Sequence, residues 1–293
     1  MTNTGPLTFA VIGCGTLGTA IARGILDPLE KDSVQVKRLI ATVGTEHSIS
    51  RVETEFSEHS SRVQVLLATE NVRAVHEADV VLLSAKPVKR QEIFDVPGFR
   101  DALRGKLLLS IMAGISTKEL QRLASGGDED LERQQPLQAV RTMPNIAAKI
   151  REAMSLSTAN LDILTTENKK IASWVYQQVG QQKFVPESTF DISAVLVGCA
   201  GSLLLLAVDG LLDAAVAEGV KRPEATEMVM NSAIGMMKLI PAGNHPSVLR
   251  EIIASPGGCS IRALLELEKL GVRSAFTAAI MKAAERSKGM SNS

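Results

Sequence analysis

The stretch that decides the fold is Leu7-Thr8-Phe9-Ala10-Val11-Ile12-Gly13-Cys14-Gly15-Thr16-Leu17-Gly18. Leu7 to Ile12 reads as a short buried strand, and Thr16 to Leu26 as the helix that follows it. Between them lies G-x-G-x-x-G. Gly13 permits the tight turn, Gly15 lets the backbone approach a pyrophosphate, and Gly18 lets helix and strand pack closely. The N–H groups that open the helix, at Thr16 and Leu17, would face the phosphates with the positive end of the helix dipole. Strand before and helix after make this a dinucleotide-binding turn; without that setting the glycines would mark only a turn.

Working outward, Arg38 to Val43, Val63 to Leu67, Asp79 to Ser84 and Leu107 to Ile111 read as further strands. Ser116-Thr117-Lys118-Glu119 is a capping box that opens a helix. Gly126 to Gln135 is polar throughout and reads as an exposed loop. Gln138 to Met143 and Met154 to Ser157 extend the sheet. Thr165-Thr166-Glu167 caps a helix to Val179 that Gly180 ends, and Lys183 to Pro186 is a last edge strand. Strands alternating with helices predict a parallel doubly wound sheet.

After Ser188 the texture changes. Ser202–Glu218, Pro223–Ile240, Ser247–Ala254, Ser260–Leu270 and Ser274–Ser287 carry helical periodicity and no strand pattern. The run Leu203 to Ala217 is apolar nearly all round, so such a helix needs cover on every side. These helices cannot enclose one another in one thin layer, and a second subunit is the economical cover. The predicted fold class is therefore α/β: an N-terminal Rossmann doubly wound sheet (residues 1–188) followed by an all-α C-terminal dimerisation domain (residues 189–293). A homodimer, or a higher oligomer of dimers, is the expected assembly.

Composition narrows the functional classes. Lys plus Arg and Asp plus Glu are equal at 32 each, which gives no global field toward nucleic acid or an anionic membrane. Aromatics at 3 % leave little for base-stacking platforms. Ile192 to Val208, the longest uncharged run, is shorter than the ~20 apolar residues of a spanning helix, and is expected to be buried core. No targeting segment is visible in the opening residues, so a cytoplasmic enzyme is expected. Cys14, Cys199 and Cys259 form neither a zinc spacing nor a disulfide framework, and His47, His59, His76 and His245 are isolated, so no metal is expected. Asp209 and Asp213, four apart on an apolar helix, suit backbone or partner contacts better than acid chemistry. Met228, Met230, Met236 and Met237 read as core filler.

NAD enzymes of this fold place a carboxylate at the end of the second strand, on the ribose 2′-hydroxyl. Here that strand ends Ala41-Thr42-Val43-Gly44-Thr45, with Glu46 beyond. Nothing there repels a 2′-phosphate. NADPH is the expected cofactor, with NADH the other nicotinamide the turn accepts, and an acid at Val43 is the expected way to narrow the preference.

Ser255-Pro256-Gly257-Gly258-Cys259-Ser260-Ile261 resembles the S-P-G-G-T-T-I signature of the Δ1-pyrroline-5-carboxylate reductase family, and Leu264 through Ser287 continues the likeness. Arg141-Thr142-Met143-Pro144-Asn145 resembles its V-x-R-x-M-P-N segment, and Ala85-Lys86-Pro87 its turn after the fourth strand, beside the nicotinamide. Asn71 falls where the family has an asparagine near the adenosine 2′-phosphate. The resemblance covers nearly the whole chain and implies NAD(P)H-dependent hydride transfer to a small cyclic imine carboxylate, giving L-proline. It implies a substrate loop at Gly257, Gly258, Cys259 and Ser260, with the Ser260 hydroxyl as the catalytic group near the ring nitrogen. Backbone N–H groups before that helix would hold the carboxylate. Gly198-Cys199-Ala200-Gly201 replaces the family's G-S-G-P, and Asn145-Ile146-Ala147 its Asn-Thr-Pro. These departures admit two alternatives: a related reductase for a substituted or different cyclic imine, or a catalytically weakened cofactor-binding paralogue.

Overall fold

The computed structural model describes residues 5–29 and 34–291; the opening residues 1–4, read above for a targeting segment, lie outside that range. Strand β1 (Leu7–Ile12) is buried along its whole length and runs through the glycine turn into helix α1 (Thr16–Leu26). The remaining strands are β2 (Val36–Val43), β3 (Val63–Leu67), β4 (Val80–Leu83), β5 (Leu107–Ser110), β6 (Gln138–Met143), β7 (Ala153–Ala159) and β8 (Gly180–Phe184). Between them run α2 (Glu46–Glu55), α3 (Asn71–Glu77), α4 (Arg90–Phe94), α5 (Phe99–Leu103), α6 (Thr117–Ser125), α7 (Glu129–Gln134) and α8 (Thr166–Gln177).

The eight strands form one sheet in the order β3-β2-β1-β4-β5-β6-β7-β8. All neighbours are parallel except β6 and β7, where Val140 faces Ala159 and Met143 faces Leu156 in antiparallel register. The sheet is thus mixed and not wholly parallel. The link from β6 to β7 is a short 3-10 turn at Ile146–Ile150, and a parallel return would need a crossover of a dozen residues or more.

Alternation along β1 divides the core. Phe9 and Val11 join Ile21 and Ile25 of α1, Val52 of α2 and Trp174 and Tyr176 of α8 on one face. Ala10 and Ile12 join Val75 of α3, Phe94 of α4, Phe99 of α5 and Leu120 of α6 on the other.

Several local expectations are corrected. Residues 126–135 are not a loop throughout: Asp128 accepts hydrogen bonds from the N–H groups of Asp130 and Leu131 and so caps the short helix α7. Ser116 accepts from the Glu119 N–H at 3.1 Å, but Glu119 turns its carboxylate to Arg122, so half of the capping box forms. Arg122 holds that carboxyl below its ordinary value. Gly180 does not merely end α8. It starts β8 at φ +141°, where a Cβ would stand 2.2 Å from the Ala153 carbonyl oxygen.

Helix α9 (Glu187–Ala217) runs unbroken for 31 residues through Gly198 and Gly201. The chain divides into two compact units inside it, the second being Cys199–Arg286. Near its start Phe190 is wholly buried, and Arg141 of β6, itself only 3 % exposed, reaches Glu187 at 3.1 Å and Asp191 at 2.7 Å. The guanidinium also lies 4.1 Å from the Phe190 ring centre, so charge and stacking both anchor the helix.

The second unit continues with α10 (Arg222–Lys238), α11 (Pro246–Ile253), α12 (Cys259–Lys269) and α13 (Val272–Ser291), which leaves the unit near its end. The expectation that Ile192–Val208 is buried core does not hold within one chain: Leu204, Leu205 and Leu206 are 48 %, 64 % and 72 % exposed. Starting at Glu187, α9 is also longer than the uncharged run implied, and by length and composition alone it is apolar enough to cross a membrane. Asp213 is used inside the chain, paired with Arg222 at the start of α10.

Candidate functional site

The strand order reverses between β1 and β4, so the crevice beyond their carboxyl ends is where an open α/β sheet binds ligands. Gly13 leaves β1 there and Ala85 leaves β4. Gly13 adopts φ +80°, and a Cβ on it would lie 2.7 Å from Ala85 Cα. Gly18 permits the predicted close packing, since a Cβ would meet Ser84 Oγ at 2.5 Å and Val11 Cγ1 at 3.4 Å. Gly15 differs from both. Its Cβ direction is open until the Gly13 carbonyl at 3.9 Å, and Gly15 and Thr16 are exposed while Leu17 is half-buried. One glycine therefore closes the turn, one seats the helix, and the middle one leaves room for a phosphate against bare backbone.

Two hydroxyls missed by the sequence reading hold this turn. Thr42 Oγ1 accepts from the Gly13 N–H at 3.2 Å, and Ser84 Oγ donates to the Gly13 carbonyl at 2.9 Å. The available signal was a hydroxyl residue near the carboxyl end of two apolar stretches, residues 39–43 and 80–84. Cys14 points inward, 2 % exposed, against Thr19 Oγ1 at 3.5 Å, and burial pushes its thiol up from the ordinary value.

Ala85, Lys86 and Pro87 form the turn after β4; Ala85 is half-buried against Gly13 and Lys86 is exposed. Asn71 opens α3 at the carboxyl end of β3, 5 % exposed, and its amide oxygen is buried with no partner. The amide oxygen of Asn145, past the end of β6, is buried and unpartnered too. A buried acceptor left unpaired is costly, so both positions suit a ligand that brings donors. Open backbone at Gly15, a helix N-terminus at Thr16 and an orphaned amide at Asn71 together fit a dinucleotide.

Val43, where an acid was expected to narrow the cofactor preference, is only 3 % exposed and packs in the core. A carboxylate there would be buried without a partner. The open position is the next one, Gly44, which is exposed with nothing within 4 Å of a Cβ.

The loop expected to hold the substrate belongs to the second unit. Gly257 has φ +71°, and the Gly258 N–H donates to the Ser255 carbonyl at 3.0 Å. Helix α12 starts at Cys259, one residue earlier than the Ser260 start expected, and its Gly258 cap supplies no side-chain hydrogen bond. The first N–H groups of α12 are therefore left for another acceptor. Cys259 and Ser260 are exposed, and Ser260 borders a mainly apolar cavity of about 310 Å³ with Met236, Ile240, Leu249 and Leu264. A Cβ on Gly258 would lie 2.6 Å from Ser255 Oγ and 3.2 Å from Ser255 O, so this glycine keeps the loop itself closed.

Two family models match the chain. Residues 187–290 match pyrroline-5-carboxylate reductase dimerisation, and residues 8–114 match NADP oxidoreductase coenzyme F420-dependent. A pyrroline-5-carboxylate reductase of Lophium arboricola is 34 % identical over 94 % of this chain and 91 % of its own length. Another, of Schizosaccharomyces pombe, is 30 % identical over 96 % of this chain and 98 % of its own. The crystal structure of the pyrroline carboxylate reductase of Plasmodium falciparum with NADP bound superposes with a TM-score of 0.81, at 22 % identity, over 99 % of each chain. At that identity the last comparison speaks to the fold.

Proposed function

Since the chain belongs to the pyrroline-5-carboxylate reductase family, we propose that it reduces Δ1-pyrroline-5-carboxylate to L-proline with NADPH, as a homodimer in a reducing compartment. The full-length relationship at 34 % identity carries this reading. The open Gly15 backbone and the orphaned Asn71 oxygen support the cofactor. The apolar exposed length of α9 supports the partner chain. We draw the functional boundary at residues 188 and 189, so that the sheet side holds the cofactor and the helical side holds the substrate.

When bound, the cofactor supplies the hydride that adds to the C=N carbon. The chain's own groups then have modest tasks. Thr16, Leu17 and Gly18 offer the pyrophosphate their helix-opening N–H groups, while Gly13 makes the turn and Gly15 leaves the room for it, with Asn71 toward the adenosine and Ala85, Lys86 and Pro87 beside the nicotinamide. In the substrate loop Gly257 makes the turn, Gly258 closes it, and the first N–H groups of α12, from Cys259 and Ser260, receive the carboxylate. The Ser260 hydroxyl serves the ring nitrogen. The imine reacts in its protonated form, so the proton is already on nitrogen and no strong general base is required; positioning supplies most of the acceleration.

Steady-state assays with pyrroline-5-carboxylate, piperideine carboxylate and methylated pyrroline carboxylates test the reading. Pyrroline-5-carboxylate should be the preferred substrate. Ser260→Ala removes one hydrogen bond of about 0.5–1.5 kcal/mol, a loss of roughly two- to tenfold in rate. An analogue lacking the carboxylate should lose far more, because several donors to a charged group are stronger than one to a neutral one. Failure of the wild type to turn over pyrroline-5-carboxylate overturns the proposal. A second reading, a reductase for a substituted imine, is favoured by one observation: Ile146, 60 % exposed, stands where the family has Thr. A preference for a methylated substrate would decide for it.

A further inference from the structure

The missing carboxylate at the end of β2 explains tolerance of a 2′-phosphate but not attraction to it. Thr42 is committed to the Gly13 N–H, Val43 is in the core, and Gly44 has no side chain. The first arginine or lysine after β2 is Arg51, more than a turn into α2. Its guanidinium returns to the glycine turn, donating from Nη2 to the Cys14 carbonyl at 3.0 Å. That bond fixes the charge beside the mouth of the β1–β2 crevice.

Among the described residues no carboxylate neutralises that charge. Glu55, four residues along the same helix, is the natural partner for Arg51. It pairs instead with Arg23 at 2.9 Å. Arg51 is exposed and, among the described residues, has no carboxylate within 4.0 Å. One N–H of five is used, and a planar fork held at one corner suits a phosphate dianion. The pyrophosphate has its own place at the start of α1, whereas a 2′-phosphate projects from the ribose toward the end of β2, where an arginine is the usual means of accepting it.

We propose that Arg51 reads the 2′-phosphate, so that the preference for NADPH is set from α2 and not from the strand that ordinarily sets it. The inference rests on NADPH being the cofactor, and the test separates the two. Wild type, Arg51→Gln and Arg51→Lys are titrated with NADPH and NADH by nicotinamide fluorescence, and with 2′-phospho-ADP-ribose and ADP-ribose by calorimetry. Wild type should bind NADPH more tightly than NADH. Arg51→Gln should weaken NADPH and 2′-phospho-ADP-ribose by about tenfold or more, as loss of a charge-assisted contact implies. It should leave NADH and ADP-ribose within about twofold, and Arg51→Lys should recover part of the loss. Equal weakening of both cofactors by both variants makes Arg51 a support for the glycine turn and overturns the inference. Unchanged NADPH affinity in Arg51→Gln overturns it as well. A wild type that prefers NADH refutes the cofactor reading itself.

Discussion

Thr42 and Ser84 hold the glycine turn from opposite neighbours, one bonding its N–H and the other its carbonyl. With both groups of Gly13 committed, the turn is set before any ligand arrives. At this scale cofactor choice depends on which side chains at the strand end face outward. Gly44 does so in effect, being open on its Cβ side with no positive φ to favour glycine there. Gly44→Asp should therefore place a carboxylate at the crevice without disturbing the core, repelling a 2′-phosphate and offering an acceptor to a 2′-hydroxyl. The expected result is a smaller ratio of NADPH to NADH affinity, by about tenfold, measured by fluorescence titration. An unchanged ratio would mean that the adenosine end lies elsewhere. The same acid at Val43 should instead lower the melting temperature, because burying it leaves a charge with no partner.

Among the elements, those with strong local chemistry were legible. Strands Leu7–Ile12, Val63–Leu67 and Gln138–Met143 and helix Thr16–Leu26 fall where apolar runs and glycine breaks put them. Two of the misses come from tertiary contacts that local patterning does not show. Helical periodicity was read only from Ser202, but the first turns of α9 are anchored by Arg141 and Phe190 and the helix runs on through Gly198 and Gly201. Gly180 suggested a helix end, yet its requirement is the close approach of β8 to Ala153. The direction of β7 could not be read from period-two alternation, which is the same for either sense of pairing. In the loop at residues 255–260 the sequence likeness did not show what Gly258 does for the loop itself, since only the fold shows Ser255 curled beneath it. Gly180→Ala should be among the most damaging small substitutions here. A methyl 2.2 Å from a backbone oxygen cannot be relieved by a rotamer change, so destabilisation above about 3 kcal/mol is expected in chemical denaturation. Gly198→Ala, with nothing within 4 Å of its Cβ, should match or exceed wild type in the same experiment by about 0.5–1 kcal/mol. A partner chain packed tightly on Gly198 would reverse that sign.

For the whole molecule, the second unit poses a solvation problem that one chain does not solve. Leu205, Leu206, Leu211, Ile252 and Leu265 are each more than half exposed, and a family of dimerisation domains covers residues 187–290. A partner interface on the order of 2,000 Å² or more is expected. Light scattering at low micromolar concentration should give at least a dimer. Leu205→Asp with Leu206→Asp should shift the protein toward monomer, with turnover falling more than cofactor affinity. A well-folded wild-type monomer under those conditions would refute the interface. The order of synthesis adds a further consequence. A ribosome delivers the strands of the sheet first and the water-shy helix α9 only afterwards, so in each nascent copy the stickiest surface comes after the sheet and starts uncovered. Finding a sister copy is second order in concentration, whereas capture by chaperones or proteases is not. Cellular abundance of this protein should therefore rise more steeply than its message does, and a scarce transcript should yield disproportionately little folded product.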